Sequence, residues 1–442
     1  RAYKDYRKAE YYYKKVFERE GAELFPASLL YLGLMQKHNA KYDDAIATFK
    51  KAKKVYRKDP RGYLAEKSRQ ELQACLWAKS QIIDTANMLM HNLPENINSK
   101  DAEFPHALTS ERLYFSSMRG DSIGGSEEVY AEDYQTNIFH AYFKDGSWGE
   151  VDRVAALNFK SFSTGNGTFS LDKKRFYFSR CTNQNNQTNC KIMVAKHDNG
   201  VFTKVDELGD IINEPGANTT MPFIGEWEGQ EVLFFASDRD GGKGGLDIWY
   251  SFISNGNQFK KPQNLKRINT IENEVTPFWD SQHQTLYFSS TWHYGFGGYD
   301  IFKSQFANNQ FEAPENLGLP FNSPANDTYY FHTLSKDTSV WSSNRLGVNY
   351  SKNPTCCNDI FMASPPLPPP PPTIAESLEE LNKRLPVTLY FHNDIPNPRS
   401  RDTTTKVNYL DSYKEYIAML EKYQKEYSKG LRGSKAEDAK DD

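Results

Sequence analysis

The residues of this chain best placed for chemistry are its cysteines and a set of aspartates that recur beside glycines. Cys181 and Cys190 bracket a polar stretch, TNQNNQTN, that has the composition of a hairpin tip. A disulfide across it fits the distance that loop geometry allows; two free thiols are the plainer alternative. Such a bridge would imply an oxidising compartment. Cys356 and Cys357 are adjacent, and Cys75 stands alone; no zinc-ribbon spacing occurs. The loop GGKGGLD, 241–247, is glycine-rich but lies between two predicted strands. It lacks the Lys-Ser/Thr pair and the following helix that cradle phosphate, so it reads as a hairpin loop. Asp238, Asp240 and Asp247 offer oxygen ligands of the kind calcium takes. A structural role is the simpler one. Asp247, Asp300 and Asp359 recur before equivalent strands, and Arg239 and Arg345 recur after others, so Arg239–Asp247 and Arg345–Asp359 are expected to pair across hairpins. No G-x-S-x-G elbow or H-E-x-x-H helix occurs, and the nine histidines are scattered. The motifs thus predict no catalytic residue, no cofactor and no metal.

These residues need a scaffold, and composition bounds it. A chain of 442 residues exceeds one ordinary core. Hydrophobic residues at 38% and charged residues at 25% describe a globular protein, and 14% aromatics suit pleated sheets. A net charge of −3 excludes a general nucleic-acid binder. No apolar run approaches the roughly 20 residues that cross a bilayer. The chain opens at Arg1 inside a helical pattern, which reads as a processed or cut start.

Four segments follow. Residues 1–85 are poor in Gly and Pro and read as helices. Leu32-Gly33, Ala45, Phe49 and Ala52 fall at tetratricopeptide spacing, with small residues where two helices approach and Phe49 filling the gap; an ordinary helical hairpin is the alternative. Residues 86–363 switch to a period of two and repeat themselves. LYFSS-like strands end at Ser117, Arg180, Arg239, Ser290 and Arg345, and each precedes a second strand: NIFHAYF, KIMVAKH, DIWYSFI, DIFKSQF, DIFMAS. A period of roughly 53 to 63 residues with short strands is that of a propeller blade. Five units predict five blades, or six if the segment from Ile82 to Leu89 adds strands. Residues 364–373, SPPLPPPPPT, predict a stiff linker, whose run from Pro365 to Pro372 would extend on the order of 25 Å. Residues 374–442 predict a strand at Val387–Phe391 and a helix whose Tyr409, Tyr413, Tyr416, Leu420 and Tyr423 share one face.

The repeat built on LYFSS and GGxDIF resembles the TolB-type, WD-like propeller repeat. The segment LPVTLYFHNDIPNPRSRDTTTKVNYLDSYKEY resembles the opening of an OmpA-like periplasmic domain. Helical repeat, propeller and OmpA-like start, in that order, resemble the PorE-like family of Bacteroidetes proteins. That resemblance implies a multidomain chain: an all-α tetratricopeptide repeat, an all-β five-bladed propeller and a partial α/β OmpA-like segment. It implies a periplasmic, outer-membrane-associated scaffold of type IX secretion or gliding machinery, not an enzyme, which binds protein partners through helices and propeller. Two departures stand out. A proline run replaces the family's carboxypeptidase-regulatory-like domain, and the peptidoglycan-contacting pattern is absent, so any wall contact lies beyond this chain. An adaptor of this kind would have separable parts, so removing residues 1–85 would leave the propeller folded. The alternative is a glycan-binding or hydrolase-associated propeller.

Overall fold

The computed structural model describes residues 4–21, 24–81, 89–119, 135–184, 187–254, 258–333, 338–350 and 353–364, and the single residue Lys429. All but Lys429 belong to one compact unit, Arg1–Pro366. The expectations for the proline linker and the OmpA-like module fall outside the described residues.

Four helices come first: α1 (Tyr6–Glu20), α2 (Ser28–His38), α3 (Tyr42–Val55) and α4 (Tyr63–Ser80). The Asp5 side chain accepts the Lys8 N–H at 2.9 Å and satisfies one of the donors a helix start leaves open. Small residues set how closely α2 and α3 approach. A Cβ on Gly33 would lie 2.5 Å from Phe49, and Ala45, Phe49 and Ala52 are fully buried. Leu29, Leu30, Leu72 and Cys75 complete that core.

The strands form five antiparallel sheets. Blade one holds β2 (Glu103–Leu108), β3 (Arg112–Ser117), β4 (Asn137–Lys144) and β5 (Ser147–Arg153). Blade two holds β6 (Ser163–Phe169), β7 (Arg175–Gln184), β8 (Gln187–Asp198) and β9 (Val201–Glu207). Blade three holds β10 (Thr219–Trp227), β11 (Gln230–Ser237) and β12 (Asp247–Ser254), edged by the short β13 (Gln258–Phe259) and β14 (Gln263–Asn264). Blade four holds β15 (Glu274–Asp280), β16 (Thr285–Ser290) and β17 (Asp300–Ala307), edged by β18 (Gln310–Phe311) and β19 (Glu315–Asn316). Blade five holds β20 (Asp327–His332), β21 (Ser339–Ser343) and β22 (Asp359–Ser364). Its fourth strand comes from the start of the ring: β1 (Leu89–Asn92) pairs with β22, Leu89 opposite Ser364. The propeller therefore has five blades. Leu89 closes the fifth instead of starting a sixth.

Alternation along each strand puts apolar side chains on both faces of every blade, because a neighbouring blade covers each face. The cores accordingly lie between blades. Trp227, Phe234 and Ile248 of blade three meet Trp279, Phe288 and Phe302 of blade four. Phe115 and Phe139 of blade one meet Val340 and Ile360 of blade five, which joins last blade to first.

Candidate functional site

The repeated charged residues act within blades, and the expected pairing is corrected. Arg345 bonds Asp327 Oδ1 at 2.7 Å, not Asp359. Arg239 donates to Ser237 Oγ at 3.1 Å, to Thr219 Oγ1 at 3.2 Å and to the Ile212 carbonyl, not to Asp247. Arg119, in blade one, reaches Glu103 and the Ile97 carbonyl in the same way. The arginine follows the second strand and bends toward the first strand and the loop that enters its blade. Ser237 is opposite Asp247 in register, but the aspartate turns into its own hairpin. Asp247 accepts Lys243 N–H at 2.6 Å and Asn264 Nδ2 at 2.7 Å. Asp300 accepts the N–H groups of Phe296 and Gly297, and Asp359 that of Asn349 at 2.9 Å. These carboxylates staple the loops that precede them. Asp238 is engaged by Asn218, and among the described residues no three metal-ligating side chains converge.

A second repeated device is absent from the sequence reading. Asn98, Asn158, Asn213, Asn269 and Asn322 each clasp one isoleucine, accepting its N–H and donating to its carbonyl. The partners are Ile360, Ile138, Ile192, Ile248 and Ile301, at 2.7–2.9 Å. Each clasp ties the loop entering one blade to the third strand of the blade before it. Asn98 thereby locks blade one to blade five. A spacing of 21 residues from Ile to Asn, visible at Ile192–Asn213, Ile248–Asn269 and Ile301–Asn322, is the signal that could have found it.

At the axis, the first strands of the blades bulge. Asn166, Met221, Thr276 and Tyr329 occupy equivalent bulges at φ of 56°, 55°, 52° and 57°, a region that side-chain-bearing residues rarely adopt. With Pro105, His106, Phe223 and Phe278 they enclose about 40 Å³. That is room for waters, not for a sugar ring. Burial pushes the His106 imidazole down to about 3, so it is neutral.

The helices lie on blades four and five. Tyr42 Oη donates to the Phe296 carbonyl at 3.0 Å, Lys67 Nζ to Thr291 O at 2.6 Å and Gln70 Nε2 to Trp292 O at 2.7 Å. His38 stacks on Tyr6 and donates from Nδ1 to Pro324 O at 2.9 Å, and Asn326 and Asn344 both donate to Tyr6 Oη. Beneath them a charged chain is buried. Glu71 holds Lys37 at 2.7 Å and Lys67 at 3.0 Å, and Lys67 also faces Glu272 at 3.5 Å. Burial alone would raise the Glu71 carboxyl; the two ammonium groups outweigh it and hold it down to about 2. Burial pushes Asp300 up to about 7 against the pull of Lys37. Helices and propeller belong to one compact unit, Arg1–Pro366.

The open part of this face is formed by residues 344–350 and 353–358 of blade five. Between it and the helices is a cleft of about 280 Å³, lined by Asp5, Arg7, Asn39, Leu346, Pro354 and Thr355 among others. On its other flank is a hollow of about 410 Å³, lined by Glu95, Ser99, Lys100, Asn349 and Tyr350. Tyr350 is 48% exposed and Leu346 65%, so the ridge between the hollows is apolar at its crest and hydrogen-bonding on its slopes. Cys356 and Cys357 are bonded to each other at the base of this loop, and Cys181 is bonded to Cys190 across β7 and β8. Thr355 Oγ1 fixes the loop to the Lys4 carbonyl at 2.6 Å.

No protein-family model matches the chain, and no curated protein matches it. Solved structures do. An α-L-arabinofuranosidase from Lactobacillus brevis superimposes with a TM-score of 0.40 at 11% identity, over 62% of this chain and 92% of that one. The RS223 β-xylosidase gives 0.41 at 12%, over 62% and 94%. The catalytic domain of a Coprinopsis cinerea GH62 α-L-arabinofuranosidase gives 0.39 at 9%, over 63% and 97%. The likeness is one of propeller architecture. It nonetheless corrects two expectations, the non-catalytic type IX secretion or gliding scaffold and the exclusion of enzyme chemistry. The solved structures this chain superimposes on bear the names of glycosidases.

Proposed function

We propose that this protein is a carbohydrate-binding propeller whose site is the blade-five ridge. The observation that carries the reading is Tyr350, about half exposed beside a 410 Å³ hollow that also presents Glu95, Lys100 and Asn349. An aromatic face takes the C–H side of a sugar ring, and short polar side chains at its rim take the hydroxyls. The 280 Å³ cleft across the ridge, with Asp5, Arg7 and Asn39, gives a second place for the same chain of sugars. The axis, at about 40 Å³, is closed to them, and none of the residues that line it is Asp or Glu. Glycoside cleavage generally needs two carboxylates about 5–9.5 Å apart, so a hydrolytic pair would have to act off the axis. We read α1–α4 as a tetratricopeptide-type repeat, on the close Gly33–Phe49 approach, that serves here as one wall of the cleft. Two cystine pairs support an oxidising compartment such as a periplasm.

The test is saturation-transfer NMR and calorimetry with xylo- and arabino-oligosaccharides, with reducing-sugar release followed in parallel. Tyr350→Ala should weaken binding about tenfold or more while leaving the melting temperature unchanged. Absence of any saturation transfer at millimolar sugar, or equal binding by Tyr350→Ala, would overturn the reading.

A further inference from the structure

Blade two breaks the repeat at the position where blades one, three, four and five carry Ser117, Ser237, Ser290 and Ser343. It has Arg180 there, and Thr182 where the arginine of the other blades would stand. In blades one, three and five the arginine Nε rests on that serine and Nη2 on a carbonyl. The Nε and Nη2 of Arg180 are buried and have no hydrogen-bond partner. These two N–H groups form one edge of the guanidinium, the edge whose geometry matches both oxygens of a carboxylate. The guanidinium lies 4.1 Å from the Phe159 ring centroid and 5.2 Å from that of Phe162. The carboxylate whose charge reaches it, Glu207, is held by Lys191 at 2.6 Å.

We propose that Arg180 and the Phe159–Phe162 turn form a carboxylate-binding site on blade two, separate from the blade-five ridge. A buried donor edge without an acceptor is destabilising, and a ligand carboxylate is the group that would satisfy both donors at once. The turn is the cover. Phe162 N–H closes it on the Phe159 carbonyl at 3.2 Å, Ser161 within it is left-handed at φ 72°, and Phe159 is 37% exposed. Rotation of Phe159 bares the donor edge and leaves a ring face for the body of the ligand to lie on. Lys160, exposed in the same turn, adds a second positive charge at the mouth. The ligand class is therefore an organic carboxylate attached to a flat or ring-shaped body.

The experiment titrates the full chain, labelled with ¹⁵N, with D-glucuronate and, as the neutral control, with D-glucose. The resonance of Arg180 Nε–H should shift saturably with glucuronate at millimolar concentration and stay in place with glucose. Arg180→Lys keeps the charge but loses the fork, and should weaken glucuronate binding about tenfold or more. Arg180→Met should abolish binding and raise the melting temperature, because it removes the unpaired donors. Failure of glucuronate to shift the resonance would overturn the proposal. So would equal shifts with glucose, or an Arg180→Met protein that melts lower and still binds glucuronate as the parent does. Each of these readouts is independent of Tyr350, so the blade-five reading stands or falls separately.

Discussion

Blades four and two depart from the repeat within two residues of the same place, with opposite results. Blade four puts Trp292 where blades one, three and five have an arginine, and His293 Nε2 takes the Ile268 carbonyl that the arginine would have reached. Trp292 then serves the helices: its carbonyl accepts Gln70, and Lys67 lies 5.2 Å over its ring. Blade two, which no described helix residue bonds, loses its arginine to Thr182 and carries an unpartnered one at Arg180. Where a second element docks, it supplies the interactions that the repeat gave up. Where none docks, the substitution leaves a donor edge empty.

Four experiments sharpen or break this contrast. Deleting residues 4–81 should have the largest effect, because it strips the partners of Asn326, Asn344, Thr291 and Trp292 and bares Phe296. Circular dichroism and gel filtration should show a propeller that no longer accumulates folded; an unchanged melting temperature would mean that the helices only rest on the blades. Glu71→Ala leaves two buried ammonium groups without their shared carboxylate and should cost about 3–5 kcal/mol in denaturant unfolding. The exposed Lys14–Glu18 pair is the control, with Glu18→Ala costing less than about 1 kcal/mol. Asn158→Ala in blade two and Asn269→Ala in blade four each orphan a buried N–H and remove one of the two donors to a carbonyl that Val154 N–H or Leu265 N–H still reaches, for about 1–3 kcal/mol each. Equal losses would show that the clasp is indifferent to docking; a smaller loss in blade four would show that the helices share its load.

The fourth and smallest effect depends on pH. Burial pushes Glu103, in blade one, and Glu274, in blade four, up to about 7 from an ordinary 4.5. The folded state therefore holds protons that the unfolded state releases, and their contribution is complete below about pH 4.5 and lost as pH rises through 7. The deficit of Glu103→Gln or Glu274→Gln relative to the parent should be largest near pH 5 and shrink by on the order of 2–3 kcal/mol at pH 8. His38 and His106, held down to about 4 and 3, lose stability as pH falls below 6.5, in the opposite sense. The difference between variant and parent, rather than the parent's own pH curve, isolates the glutamates.

The blades were legible because period-two strands and turn residues carry their pattern locally. LYFSS and DIFKSQF are β16 and β17 almost to the residue. The destination of the charged side chains was not. Ser343 and Asp359 are opposite in register, which invites a pair, yet Arg345 turns instead to Asp327 on the first strand. Only the folded blade brings that residue close. The clasp was half legible: Asn98, Asn213, Asn269 and Asn322 were inside the repeat unit, but a polar residue in a loop reads as a turn until its isoleucine partner is known. The blade-five ridge was hidden because one of its walls belongs to the helices, and no repeat within either part predicts how the two meet.

The ring is shut by the pairing of β1 with β22, which places its first rung, Leu89–Ser364, where the chain enters and leaves. The start of β1 and the end of β22 share one end of this antiparallel pair. Force applied between residue 89 and residue 364 would open it as a zipper, one rung at a time, instead of shearing its rungs together. Beyond Asn92–Phe361, the last rung, the Leu93 N–H bond to the Ile360 carbonyl at 3.0 Å and then the Asn98 clasp on the same isoleucine meet the load. A ring sealed this way fails gradually under tension, and single-molecule stretching from these two points should show blade five giving way before any other blade.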